Sequence, residues 1–168
     1  MNTINDVIIK TITVHSDQRG WLAELFRSDE LPLTLLPRMS YMSLTKPGVV
    51  RGPHEHITQT DNFIFISGHW FVKLWDNRPN SYTFNNIMKF KITKPTQVIV
   101  PPNVIHAYAN ANAFSKGMVI NMPNVLFKGI DKTQPPDEIR HESNPKFPIL
   151  DIKCQHPLSK FMSLFTNV

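Results

Sequence analysis

Arg51-Gly52-Pro53-His54-Glu55-His56 is the stretch of this 168-residue chain whose reading decides the fold. In extended backbone, side chains two residues apart point to one face, so His54 and His56 look the same way. Asp61 follows five residues after His56, and Gly68 comes seven later, where a turn would end the second strand of a hairpin. Far along the chain, Pro101-Pro102-Asn103-Val104-Ile105-His106-Ala107-Tyr108-Ala109-Asn110 places another histidine at a further strand start.

Outward from this stretch the pattern is all β. Short apolar runs recur at residues 7–12, 39–44, 63–66, 70–75, 88–92, 98–100 and 118–122, separated by Gly, Pro, Asn and Asp clusters. Fourteen prolines argue against long helices through the middle. Many short strands with such punctuation predict a sandwich or barrel. Helices are expected only at residues 28–31 and in the tail at 158–166, where Leu158, Phe161, Met162 and Phe165 fall at helical spacing. That tail reads equally well as a dimer or lid element and as a helix packed on its own barrel.

At this length the chain is one domain with room for a real core, here residues 1–150, followed by a tail over 151–168. Hydrophobic content of 41% and charged content of 18% describe a globular protein. No apolar run approaches the roughly 20 residues of a membrane helix, and the first residues lack a charged start and an apolar signal core. One cysteine, Cys154, cannot form an internal disulfide, which suits a reducing compartment. A cytoplasmic protein without a membrane partner is therefore expected. The formal charge of +5 invites a nucleic-acid partner, but the Lys and Arg residues are scattered, with no cluster that would follow a phosphate backbone. A diphosphate is the smaller anionic partner that they could serve.

The spacing of His54, His56, Asp61, Gly68 and His106 resembles the two-part signature of the cupin family of small β-barrels. That signature reads H-x-H, an acidic residue and a glycine, then P-x-G-x-x-H-x-x-x-N, with Asp61 here for the usual glutamate and Asn103 for the usual glycine. The resemblance implies a cupin-type double-stranded β-helix, a jelly-roll barrel with short peripheral helices, carrying these groups in its mouth. Further blocks resemble one branch, the dTDP-4-dehydrorhamnose 3,5-epimerases. Residues 17–26, Asp17-Gln18-Arg19-Gly20-Trp21-Leu22-Ala23-Glu24-Leu25-Phe26, are similar to its D-x-RG-x-x-x-E-x-F segment. Gly48-Val49-Val50-Arg51-Gly52-Pro53-His54 is similar to its G-V-L-R-G-L-H box, and Asp76-Asn77-Arg78-Pro79-Asn80-Ser81-Tyr82-Thr83-Phe84 to its D-L-R-x-x-S-P-T-F turn. Val98-Ile99-Val100-Pro101 with His106 fits its I-P-x-G-x-x-H-G-F.

What the resemblance implies is an isomerase: an epimerase of a 4-keto-6-deoxy nucleotide-sugar, dTDP-linked, in deoxysugar and cell-surface polysaccharide synthesis. In that family a histidine removes a proton next to a ketone and a tyrosine returns one on the opposite face. A C–H beside a carbonyl is a very weak acid, so the step needs a well-placed base and stabilisation of the enolate oxygen. His54 occupies the base position, and imidazole suits that task. Arg51 would sit near the diphosphate or the enolate, or else form a structural ion pair. Arg19 and Glu24 match positions that contact the nucleotide, often across a homodimer interface, unless they are an ordinary surface pair. His56, His106 and Arg78 complete the expected substrate-binding set.

Departures from the family pattern matter as much. Ile120 stands where the family's catalytic tyrosine would align, Asp61 where a lysine is expected, and Met39 and Tyr41 where glutamine and asparagine are usual. Tyr108, on the face of His106, or Tyr41 could replace the lost proton donor; a hydrogen-bonded core tyrosine is the other reading of each. No cofactor is expected on the epimerase reading. The alternative is a metal-dependent dioxygenase or isomerase holding Fe, Mn, Ni or Zn on His54, His56, Asp61 and His106, since cupins in general use these positions for metal and this donor set suits such ions. A non-catalytic sugar-nucleotide-binding cupin is the remaining reading. Finally, Pro135-Pro136-Asp137-Glu138-Ile139-Arg140-His141-Glu142 reads either as a solvated loop or as a segment closing over the cavity.

Overall fold

The structure is a computed structural model that describes residues 3–149. Twelve strands are β1 (Ile8–Thr11), β2 (Val14–Asp17), β3 (Gly20–Ala23), β4 (Tyr41–Thr45), β5 (Val50–Glu55), β6 (Asp61–Ser67), β7 (Trp70–Asp76), β8 (Ile87–Ile92), β9 (Thr96–Val100), β10 (Val104–Asn110), β11 (Gly117–Asn121) and β12 (Ile139–Arg140). One five-stranded sheet runs β1-β9-β6-β11-β4 and a second runs β12-β5-β10-β7-β8, while β2 and β3 form a separate hairpin. All pairings are antiparallel, and the architecture is the expected cupin-type β-barrel.

Alternation along the strands divides the apolar residues between two faces. Phe63, Phe65, Trp70, Val72, Leu74, Val98, Val104, Tyr108 and Val119 pack together as the main core. On the other face of the second sheet, Trp75, Ile105, Ala107 and Ala109 are covered by Phe147 and Ile149. Every residue of β10 is buried, so its sequence reads as a near-continuous apolar run broken only by His106 and its polar end. A third cluster, Ile12, Ile64 and Met122 with Ile66 and Ile120, backs the first sheet.

The short helix expected at 28–31 is not formed. Residues 28–30 are a turn, held by the Arg27 guanidinium donating to Asp29 at 3.0 and 2.7 Å. Pro32 then precedes a single 3₁₀ turn at Leu33–Leu35, and no α-helix occurs among the described residues. The helix expected at 158–166, with the rest of the tail, lies outside the described residues. The sequence reading placed no strands at β2, β3 or β12, whose exposed residues bury no apolar face. No helix of the described residues is long and apolar enough to cross a membrane.

Candidate active site

A cavity of about 960 Å³ opens between the sheets and is lined by Tyr41 and Ser43 of β4, Arg51, Gly52 and His54 of β5, His56, and Tyr108 of β10. Its outer wall comes from residues 123–142, including Phe127, Lys128, Asp137 and Arg140. Of the two readings of the Pro135–Glu142 stretch, the structure thus favours closure over the cavity. Asp137 is the reason: its carboxylate accepts backbone N–H bonds from Ile57, Thr58 and Gln59 at 2.8–2.9 Å and the Thr58 hydroxyl at 2.7 Å. Those bonds hold its carboxyl below the usual carboxylate range, although burial acts the other way.

The R-G-P-H turn places the first histidine. Gly52 sits at φ +76°, and a Cβ there would come within 2.4 Å of the His106 carbonyl oxygen, so only glycine fits. Strand pairing sets His106 opposite His54, and their Nε2 atoms are 3.0 Å apart. His106 Nδ1 is 3.1 Å from the Val104 carbonyl oxygen. Asp61 lies behind them, its Oδ2 3.2 Å from His56 Nε2 and 3.3 Å from His106 Nε2. Its Oδ1 accepts from Gln59 Nε2 and Asn121 Nδ2, both at 2.7 Å. Oδ2 makes no aligned hydrogen bond; its pairing with His56 is one of charge.

These neighbours split the histidines electrically. Burial, then the adjacent His106, pushes His54 down to about 3. Burial also pulls His56 downward, but the Asp61 carboxylate and the Asp137 carbonyl at its Nδ1 outweigh it and raise it to about 9. Burial likewise lowers His106. Asp61 is held at about 2 because His56, His106 and Asn121 overcome its complete burial. At neutral pH the arrangement is a neutral His54–His106 pair beside a His56 imidazolium and an Asp61 carboxylate. The three imidazoles also offer ring nitrogens within 4.8 Å of one another, a set that could hold a first-row divalent metal.

Position 120 faces away from this site, since Ile120 packs with the cluster behind the first sheet. The inward neighbour is Asn121, paired in register with Tyr41 across β11 and β4, and its Nδ2 donates to the Tyr41 hydroxyl at 3.0 Å. A chain of polar contacts therefore runs from Tyr41 through Asn121 and Asp61 to the histidines. Burial raises Tyr41 above the ordinary phenol value. Tyr108 is only 5% exposed, lies edge-on to Phe63, Phe65 and Trp70, and is pushed by burial to about 12.

Other expected residues fall elsewhere. Arg51 lines the cavity and donates from Nε to Thr45 Oγ1 at 2.8 Å. Arg78 is not in the cavity wall; it binds the buried Asp76 and the Asp6 carboxylate through bonds of 2.8 and 2.9 Å. Arg19 pairs with Asp17 on the exposed hairpin, and Glu24 lies beside Arg27, neither lining this chain's own cavity. His106, 2% exposed, stands behind His54 and not in the wall. Sequence reasoning missed Arg38, Lys128 and Arg140, which do line it. Scattered cations carry no spacing signal, because the fold alone collects them. His141 is half-buried, 2.9 Å from the buried Glu55.

The family model for dTDP-4-dehydrorhamnose 3,5-epimerase matches residues 1–119. A protein of Haloferax volcanii described as a probable low-salt glycan biosynthesis epimerase is 36% identical over 143 residues, covering 83% of this chain and 88% of that protein. The spore coat polysaccharide biosynthesis protein SpsL of Bacillus subtilis is 36% identical over 107 residues, 62% of this chain and 70% of the relative. Among solved structures, a dTDP sugar isomerase from Desulfovibrio desulfuricans superposes with a TM-score of 0.75 at 18% identity, covering 86% of this chain and 90% of that one. The match in sequence over most of the chain, on a shared barrel, places it in the dTDP-4-dehydrorhamnose 3,5-epimerase family of carbohydrate epimerases.

Proposed function

We propose that the protein epimerises a dTDP-linked 4-keto-6-deoxy sugar for polysaccharide synthesis, by proton removal beside the ketone at His54 and proton return from Tyr41. The observation that carries this reading is the placement of the two side chains on one cavity from different sheets. Tyr108 belongs to the same sheet as His54 and is the poorer candidate for delivering a proton to the opposite face.

A base as weak as a histidine near 3 takes a carbon-bound proton only where the enolate is strongly stabilised. Arg51 is a cavity cation on the strand of His54, and the His56 imidazolium supplies positive charge where the family's lysine is absent. Both ring nitrogens of His56 are engaged, so it acts through its field. Arg38, Lys128 and Arg140 supply positive charge for the diphosphate. Arg19 and Glu24 serve the nucleotide of a second subunit in a cytoplasmic homodimer. In support, their hairpin leaves Trp21 and Leu22 57% and 64% exposed.

Incubation with dTDP-4-keto-6-deoxyglucose in deuterated water tests the activity. Deuterium at a carbon next to the ketone supports it; tight nucleotide-sugar binding with no label at either carbon favours a non-catalytic binding protein instead. A second reading, a metal-dependent cupin enzyme, draws on the three clustered imidazoles and the Asp61 carboxylate beside two of them. Near-stoichiometric metal in purified protein, lost on His56→Ala, would establish that reading; metal-free protein that exchanges deuterium would exclude it.

A further inference from the structure

We propose that His106 is a positioning residue that fixes the tautomer of His54, leaving Nδ1 as the atom that takes the substrate proton. This rests on the epimerase reading for its catalytic meaning, but its structural content stands alone. A carbonyl oxygen can only accept, so His106 Nδ1, 3.1 Å from the Val104 carbonyl, must carry hydrogen. A neutral His106 then has a bare Nε2. At 3.0 Å from His54 Nε2, that lone pair requires a donor opposite it, so His54 holds its hydrogen on Nε2 and its Nδ1 is bare. His54 lines the cavity while its Nε2 is turned to the buried His106, so Nδ1 is the ring nitrogen left for the cavity.

The same contact serves the next moment of the reaction. When Nδ1 gains a proton, the new imidazolium keeps its Nε2–H bond to His106. His106 Nε2 in turn lies 3.3 Å from the buried Asp61 carboxylate, so the positive charge forms with a fixed negative charge one ring away. No covalent bond is made or broken at His106, and the abstracted proton remains on His54 Nδ1 until it returns to the sugar or leaves to water.

Two measurements test this. The first is ¹⁵N NMR of wild-type protein labelled at histidine, at neutral pH and without substrate. His54 protonated on Nε2 with bare Nδ1 supports the proposal, and the reverse tautomer overturns it, whether or not the protein proves to be an epimerase. The second compares His106→Leu, which offers no acceptor, with His106→Gln, whose side-chain oxygen can reach the Nε2 position. Loss of tautomer control should lower kcat for deuterium exchange in His106→Leu by roughly 10² to 10⁴ with KM within about twofold, and His106→Gln should recover at least about tenfold of that loss. A folded His106→Leu with kcat within about threefold of wild type, or a His106→Gln as inactive as His106→Leu, overturns it. If His106→Leu does not fold, the tautomer in the wild type decides. Wild-type protein that exchanges no deuterium removes the epimerase reading and leaves the tautomer result intact.

Discussion

Tyr41 on β4 and His54 on β5 line one cavity from different sheets, whereas Tyr108 shares the sheet of His54. If that geometry assigns acid and base, Tyr41→Phe should separate the two half-reactions. Proton abstraction, followed as exchange of the substrate C–H with deuterated water, should persist, while formation of the epimer falls by roughly 10² to 10⁴. Tyr108→Phe should keep epimer formation within about tenfold, because it removes a hydroxyl from an aromatic cluster and not the donor. The opposite ranking would transfer the acid role to Tyr108.

Asp137 ties residues 57–59 to the cavity wall and presents its carbonyl to His56. Asp137→Ala strands three backbone N–H groups and frees the wall, so stability should fall by about 1–3 kcal/mol and exchange should fall with it. Chemical denaturation beside the exchange assay checks both. Unchanged stability would mean that water replaces the carboxylate without cost.

Asp76 offers a test by pH. Its side chain has no exposed surface, and it accepts from Arg78, Ser81 and Thr83 at 2.6–2.9 Å. Although burial opposes the charge, these bonds hold the carboxyl well below the usual range. A depressed folded-state value stabilises the fold above the unfolded value, near 3.9 for aspartate, and this contribution is lost as pH falls through the folded value. Asp76→Asn should therefore cost about 1–3 kcal/mol at neutral pH, with the gap to wild type narrowing steadily below about pH 4. A gap that stays constant down to pH 3 would assign the loss to shape and not to charge.

The β2–β3 hairpin and the segment after it leave Trp21, Leu22 and Phe26 exposed, and sedimentation should find a dimer at micromolar concentration. An interface that stable should bury on the order of 2,000 Å². Trp21→Ser combined with Leu22→Ser should shift the protein toward monomer and weaken nucleotide-sugar binding together. A wild-type monomer would contradict the shared-site arrangement.

The barrel was legible because its strands are short apolar runs set between turn residues, as at residues 63–66 and 70–75, and the fold buries both of their faces. So was the histidine cluster, since H-x-H on a strand and a histidine on its neighbour converge wherever those strands pair. What sequence could not show was depth. His54 and His106 look equivalent in the chain, yet one lines the cavity and the other stands behind it. Nor could spacing show which way position 120 faces, because a one-residue change of register exchanges the two faces of a strand. The exposed hairpin and the 28–30 turn were missed for a related reason. Both are held by local ion pairs and turn geometry, which leave no apolar period to read.

His54→Asn is the most direct measurement of the central claim. Asparagine keeps hydrogen-bonding capacity but cannot take up a proton at neutral pH. Folding and nucleotide-sugar binding should survive, while incorporation of solvent deuterium beside the ketone falls by roughly 10² to 10⁴. Exchange retained at more than about a third of the wild-type rate would contradict the base role, because a positioned base contributes far more than threefold.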